Sequence, residues 1–155
     1  MTSSGSPTAH PPQPQPRTAA RQRRHLALDG VRGQVAKGRD FARRALRDWE
    51  WDGTESGEDA LLVVSELVTN AALHAGGCLH LALTRGETLR IEVFDGSAAL
   101  PRRDPSPRRG IPGGHGLHII DRLSDRWGCE TLQQGKVVWA EIDGSRLAGD
   151  PAAAR

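Results

Sequence analysis

Two repeating patterns of apolar residues run along this chain, one typical of helices and one typical of strands. Between residues 31 and 49, apolar side chains recur every three or four positions, and they do so again between residues 58 and 74. That spacing places the apolar side chains of each segment on one face, so each segment predicts an amphipathic helix. Gly76 and Gly77 are expected to end the second helix, as glycines often do.

Alternation of apolar and polar residues, typical of strands, follows the two helices. The predicted strands cover residues 25–28, 78–83, 89–95, 127–132 and 137–142. Short polar turns join the second strand to the third and the fourth to the fifth, so both pairs predict hairpins. A third helix is expected over residues 114–124. Because helices come early and midway while paired strands lie between and after them, we expect an α+β fold. It would be a two-layer sandwich with helices on one face of a mixed or antiparallel sheet.

The two ends of the chain differ in composition from the part between them. Residues 1–24 contain five prolines, four arginines and no acidic residue. They cannot bury enough apolar surface to offset the entropy of ordering, so we expect a disordered basic tail. Residues 25–143 form the predicted folded domain, and residues 144–155 are expected to be a flexible tail. No apolar run resembles a secretory signal or a membrane span, so neither is expected.

Charge and cysteine content narrow the classes of function. The formal net charge of the whole chain is only +2, although its N-terminal tail is strongly basic. Such a tail could contact nucleic acid or an acidic partner, but a tail that only increases solubility is the commoner case. The rest of the chain has no nucleic-acid-binding motif, so nucleic acid is not an expected partner. Cys78 and Cys129 fit no metal-binding spacing and lie in strand-like runs, which predicts buried, reduced thiols in a cytoplasmic protein.

Three segments carry residues suited to holding a nucleotide phosphate with a metal ion. On the second helix, Glu66, Asn70 and His74 recur every four residues and project from one face. An amide oxygen is a suitable ligand for Mg²⁺, and a carboxylate one turn earlier could act as a base. Asp95 ends the third strand, and the glycine-rich run 113–116 opens the third helix.

Each of these signals is weak when taken alone. Asn70 could be a surface residue that bonds its own helical turn, and Glu66 could be a solvated helix residue. Asp95 could simply begin a turn with Gly96, and the later glycines could form a linker. The three segments stand in a consistent order, on a helix, at a strand end and in a loop that leads into a helix. That order favours the nucleotide interpretation.

In combination the segments resemble the ATPase fold shared by DNA gyrase, sensor histidine kinases, a heat-shock chaperone and mismatch-repair proteins. The second helix resembles that family's N box, and Asp95-Gly96-Ser97 resembles its first glycine box. The run 113–120 resembles the second glycine box, and the run 135–139 resembles the last hairpin. The resemblance extends over residues 25–143 and implies bound ATP and Mg²⁺. The chain looks most similar to the short anti-sigma-factor serine kinases of actinobacteria.

The resemblance also implies roles for individual residues. Asn70 would coordinate Mg²⁺, Glu66 would be the general base, and Asp95 with Gly96 would bind adenine. The residues that would approach or contact the phosphates are His74, Gly113, Gly114, His115, Gly116 and Leu117, with one of Arg102, Arg103, Arg108 and Arg109.

From the resemblance we expect a cytoplasmic regulator that binds ATP and Mg²⁺ and has serine/threonine protein kinase activity. It would hold a sigma factor or another regulator and phosphorylate a small antagonist protein on serine, and a homodimer is expected for such a kinase. The alternative is a catalytically silent module that binds proteins under the control of a nucleotide. Ser97, which stands where the family usually has a glycine, is a departure from the pattern.

Overall fold

Five strands and four helices lie within residues 21–97 and 116–149, the part of the chain that the computed structural model describes. The strands are β1 (Gln22–Ala27), β2 (Cys78–Arg85), β3 (Thr88–Asp95), β4 (Arg126–Leu132) and β5 (Gly135–Asp143). The helices are α1 (Gln34–Asp48), α2 (Glu55–His74), α3 (Gly116–Leu123) and α4 (Gly144–Ala148). Within these residues, no helix combines the length and the apolar content that crossing a membrane would require.

The five strands form one antiparallel sheet in the order β1-β2-β3-β5-β4. β2 with β3 and β4 with β5 are the two predicted hairpins, and they join through the pairing of β3 with β5. The expected α+β sandwich is therefore confirmed, with antiparallel pairing between all the described strands. The register sets Asp95 opposite Lys136 at one end of the β3–β5 ladder, and Thr88 opposite Asp143 at the other.

The helices cover one face of the sheet, and the apolar core lies between the two layers. Alternate strand residues face this core, among them Leu83, Ile91 and Val138, each no more than 2% exposed. α2 contacts β2, β3 and β5 and is flanked by α1, α3 and α4, which makes it the central helix. Burying one such large side chain contributes about 1.5–3 kcal/mol. The position of α2 on the sheet is therefore strongly determined.

A side-chain cap sets the start of α2. The Thr54 hydroxyl accepts a hydrogen bond from the backbone amide of Gly57 (3.0 Å). Glu55 and Glu58 lie in the first turn, where the helix dipole favours negative charge. Apolar periodicity predicts a start near residue 58, whereas the helix begins at Glu55. The difference arises because a polar first turn carries no apolar signal.

The first strand is longer than its composition suggests. Gln22–Arg24 belong to β1 and pair with β2, although their basic sequence favours a disordered tail that ends at residue 24. Arg24 forms an ion pair with Asp48 (2.7 Å), and its Cζ atom lies 5.1 Å from the ring centre of Trp49. These partners come from α1 and its end, so the local sequence could not reveal them.

The domain also extends past its predicted end at residue 143. Asp143 caps α4 by accepting hydrogen bonds from the backbone amide and the hydroxyl of Ser145 (both 3.0 Å). Leu147 of this helix is fully buried. Residues 144–148, expected to belong to a flexible tail, are therefore part of the packed domain, because one apolar side chain reaches the core. Residues 1–20 and 150–155 of the predicted tails lie outside the described residues.

The face of the sheet opposite the helices carries a series of ion pairs. Glu92 pairs with Arg23 (3.1 Å), and Glu141 pairs with Arg90 (2.8 Å). The Cζ atom of Arg90 also lies 4.4 Å from the ring centre of Trp139. Individual pairs of this kind contribute only about 0–1 kcal/mol when solvent reaches them. Their main effect is to cover this face with charged groups.

His80 lies on the same face, packed nearly flat against Phe94. The two ring centres are 3.9 Å apart and the planes differ by 18°. Burial lowers the pKa of His80 below 6.5, and the nearby His25 and Arg23 lower it further, while Glu92 has the opposite effect. The folded state therefore disfavours protonated His80.

We expect His80 to make the folded protein less stable in mild acid. Its lowered pKa means that the unfolded chain takes up the proton at higher pH than the folded one. This contribution to stability is thus complete above pH 6.5 and is lost as the pH falls towards the folded-state pKa. A His80→Gln variant should lose less stability than the wild type between about pH 7.5 and about pH 5.5, measured by urea unfolding. An equal loss in both proteins would contradict this prediction.

Candidate functional site

The polar residues predicted on the second helix lie on α2 but differ in exposure. Asn70 is buried, with 7% of its surface exposed, whereas Glu66 is half-buried and His74 is exposed. Glu66 and Asn70 are one helical turn apart, so the carboxylate and the amide project in similar directions. His74, the last residue of the helix, faces solvent. Of the three predicted residues, Glu66 and Asn70 are thus the two that this helix brings close to the interior.

Asp95, the last residue of β3, is the most deeply buried acidic residue of the described chain, with a side chain that is 1% exposed. Its Oδ1 atom accepts hydrogen bonds from Nζ of Lys136 (3.0 Å) and from the backbone amide of Ser97 (2.9 Å). Its Oδ2 atom accepts none from the described residues. Asp95 is therefore anchored through one oxygen, and the other remains available as an acceptor.

The partner of Asp95 is a buried lysine that the sequence motifs did not single out. Lys136 lies opposite Asp95 in the β3–β5 register, and its side chain is 3% exposed. It shares its strand face with Val138, Ala140 and Ile142, all of which are in the core. A lysine at a core-facing position of an alternating strand needs a buried anion beside it. The alternation along β5, which places Lys136 on the same face as these apolar residues, was the signal in the sequence that could have identified it.

The start of β5, directly after the β4–β5 turn, lies against the backbone of Asp95. At Gly135 the φ angle is +124°, and an added Cβ would overlap the carbonyl oxygen of Asp95 and lie 2.9 Å from Cα of Gly96. Only glycine combines this backbone conformation with such a close approach. Gly135 therefore allows the closing hairpin to sit where Lys136 can reach Asp95.

Two thiols lie in the same region. Cys78 is the register partner of Asp95 on β2, and its pKa is raised to about 12, first by burial and then by the charge of Asp95. Burial also raises the pKa of Cys129, and Lys136 opposes that shift. Both thiols are free; Cys78 is buried, as predicted, and Cys129 is half-buried. Since both stay protonated near neutral pH, they surround the ion pair as weakly polar groups and not as nucleophiles.

α3 connects the glycine-rich run with the helix of Asn70. Gly116 is the first residue of α3, and Leu117 is buried, with 7% of its surface exposed. α3 packs against α2 and contacts β4. The predicted phosphate-binding residues Gly113, Gly114 and His115 lie outside the described residues, as do the four candidate arginines. The helix into which the glycines lead is thus a direct neighbour of α2.

The described residues are better suited to a metal ion that binds together with the phosphates of a nucleotide than to a metal ion that protein side chains alone would hold. Within residues 21–97 and 116–149, no three His, Cys, Asp or Glu side chains come together as a metal site. Mg²⁺ commonly takes one or two protein oxygens and completes its shell with water and substrate phosphates. The amide oxygen of buried Asn70 suits that role, and the remaining oxygen of Asp95 suits an amino group of a nucleobase.

A separate groove of about 780 Å³ lies between the start of α1 and the end of α2. Gly33, Gln34, Arg39 and Ala72 are among the residues that line it. None of its lining residues belongs to the predicted site. Its walls are formed largely by small and apolar residues, whereas the buried polar groups described above lie elsewhere. The chemistry therefore points to Glu66, Asn70 and Asp95 and not to this groove.

Comparison with known protein families relates this geometry to a common fold. The family described as a histidine kinase-like ATPase domain matches residues 31–142, a range that includes Glu66, Asn70, Asp95 and Lys136. No curated protein matches the chain. Domains of this family bind ATP, usually with Mg²⁺. The chain therefore belongs to the histidine kinase-like ATPase domain family, as its motifs predicted.

Proposed function

We propose that this chain is an ATP- and Mg²⁺-dependent serine/threonine protein kinase that regulates a sigma factor by phosphorylating a small antagonist protein. The observation that carries the proposal is a half-buried carboxylate, Glu66, one turn before a buried amide, Asn70. The helix that carries them packs on β3, which ends at Asp95. The resemblance of these segments to short serine kinases of partner-switching systems supports this function.

In this proposal Asp95 and Asn70 hold the two ends of the nucleotide. Oδ2 of Asp95 accepts a hydrogen bond from the adenine amino group, and the amide oxygen of Asn70 is a ligand of Mg²⁺. Mg²⁺, when bound, neutralises charge on the phosphates. The backbone amides at the start of α3 are donors suited to the same phosphates, because the N-terminal end of a helix favours anions.

Glu66 serves as the general base for the transfer step. It accepts the proton of a substrate serine hydroxyl while the serine oxygen bonds to the γ-phosphorus. The bond from that phosphorus to the β–γ bridging oxygen breaks, and ADP leaves. Half-burial suits this role, because the carboxylate is then within reach of a protein substrate and only partly hydrated.

Phosphorylation of the antagonist would switch the partner that the kinase holds. A phosphoserine adds about −1.5 to −2 charge, which disrupts an interface through repulsion and desolvation. The released kinase would then bind its sigma factor in the cytoplasm. A homodimer of the kinase is part of the same proposal, as expected from the resemblance.

Calorimetric titration of ATP, with and without Mg²⁺, tests the nucleotide part of the proposal. The wild type should bind ATP more tightly with Mg²⁺, by about tenfold or more (about 1.4 kcal/mol or more), because the metal joins the phosphates to the amide oxygen of Asn70. Asn70→Ala should bind ATP with nearly the same affinity in both conditions, because the protein ligand of the metal is gone.

The neighbouring Thr69→Ala variant is the matched control, because Thr69 is a half-buried residue of the same helix turn. It should keep the Mg²⁺ dependence of the wild type. Absence of ATP binding in the wild type would overturn the proposed function. An unchanged Mg²⁺ dependence in Asn70→Ala would remove Asn70 from the metal site.

A further inference from the structure

We propose that Lys136 is a positioning residue that sets the nucleobase preference of this domain by holding Asp95 in one orientation. This inference rests on the proposed function, since it concerns the same nucleotide site. It assigns a task to a residue that the family motifs leave without one. The contact that carries it is the buried ion pair between Lys136 and Asp95.

The ion pair and a backbone contact both act on a single oxygen of Asp95. Nζ of Lys136 and the backbone amide of Ser97 donate to Oδ1, at 3.0 Å and 2.9 Å. Two donors in different directions fix the plane of the carboxylate, because rotation of the side chain would break one of the bonds. Oδ2 is then held in one direction, and no described residue donates to it.

The burial of both groups makes the pair decisive for the orientation of Asp95. The Lys136 side chain is 3% exposed and that of Asp95 is 1% exposed. A carboxylate in such surroundings is strongly unfavourable without a counter-charge, and removing one member of a buried pair leaves the other uncompensated. Solvent therefore cannot replace Lys136, as it could at an exposed ion pair.

The groups around the pair do not compete with Lys136. Cys78 and Cys129, from β2 and β4, are near enough for the charge of Asp95 to raise the pKa of each thiol, although burial is the larger cause at both. Neutral thiols are weak donors and cannot supply the charge of an ammonium group. Among the described residues, Lys136 is the one cation paired with Asp95.

A carboxylate oxygen held in this way can distinguish nucleobases by the presence of an amino group. It accepts a hydrogen bond from the exocyclic amino group of adenine. A purine without that group would leave the buried oxygen unpaired, and sites built around such a bond reject analogues that lack it. If the carboxylate could rotate freely, it would lose part of this discrimination, because Oδ2 would no longer point to one place.

Calorimetric binding of ATP and of purine riboside triphosphate, which lacks the amino group, tests the inference. The quantity of interest is the ratio of the two dissociation constants. We expect the wild type to favour ATP by about 10- to 100-fold, the range for a hydrogen bond to a charged group. Lys136→Met should reduce this preference to about threefold or less, because methionine has no donor for Asp95.

Lys136→Arg is the matched variant, since arginine keeps both the positive charge and N–H donors for Asp95. Its preference for ATP should stay within about threefold of the wild-type value. This measurement also tests the inference if the methionine variant does not fold. A general loss of stability would weaken the binding of both nucleotides, so the ratio separates positioning from a merely structural role.

The possible outcomes distinguish this inference from the proposed function. A wild type that binds both nucleotides equally, or a Lys136→Met variant with an unchanged preference, would overturn the inference and leave ATP binding in place. A Lys136→Arg variant whose preference falls close to one would also overturn it. A wild type that binds neither nucleotide would overturn the proposed function, and this inference with it.

Discussion

The Glu66→Gln variant should bind ATP like the wild type and lose phosphoryl transfer by about 10²–10⁴-fold, the usual contribution of a general base. Glutamine preserves the size of the half-buried side chain and the helix that carries it, but its amide cannot accept the serine proton. The measurement is the initial rate of label transfer from γ-labelled ATP to purified candidate antagonist proteins. The affinity for ATP is measured in parallel by calorimetry.

Glu58→Gln is the matched control, because Glu58 is an exposed carboxylate on the same helix. It should transfer phosphate at the wild-type rate. A Glu66→Gln variant that is equally active would eliminate Glu66 as the base. If the wild type bound ATP but transferred phosphate to no candidate, the kinase proposal would fail. The alternative, a silent module gated by nucleotide, would then explain the retained binding site better.

The Gly135→Ala variant should be less stable by ~2–6 kcal/mol, the sum of ~1–3 kcal/mol for a strained backbone and ~1–3 kcal/mol for overpacking. Its new methyl group would overlap the carbonyl oxygen of Asp95 at a φ angle of +124°. The β4–β5 turn must then move away from β3, which also draws Lys136 away from Asp95. Urea unfolding gives the stability, and calorimetry at a temperature where the variant is folded gives the ATP affinity, which we expect to fall.

Gly53→Ala separates backbone strain from the close approach. Gly53 also has a positive φ angle, +77°, but an added Cβ would meet nothing within 4 Å. This control should lose only about 1–2 kcal/mol, the usual cost of a left-handed conformation in a residue other than glycine. Equal losses in the two variants would show that contact between Gly135 and Asp95 does not matter for stability.

Much of the architecture followed from the sequence because its cause is local. Apolar residues at helical spacing identify α2, and alternation around short turns identifies both hairpins. The relation between Glu66 and Asn70 is equally local, since residues four apart on a helix always lie close together. Asp95 was identified because it ends a strand and is followed by Gly96.

The ends of the domain were less predictable, because distant partners decide them. β1 extends to Gln22 through pairing with β2, whose partner residue is Arg85. α4 is ordered because Leu147 reaches the core. Neither segment carries a strong pattern of its own. Composition alone therefore predicted longer tails at both ends of the domain than the structure has.

By itself, the sequence determined the elements other than α4, the sandwich class and the order of the polar motifs, because hydrophobic spacing and turn chemistry act over a few residues. Only the tertiary structure decided that Asn70 is buried while His74 is exposed, since this depends on how α2 lies on the sheet. It also decided that Lys136 pairs with Asp95 across 41 residues of chain. The antiparallel register of β3 and β5 places the two charges opposite each other, and their burial away from water requires them to pair.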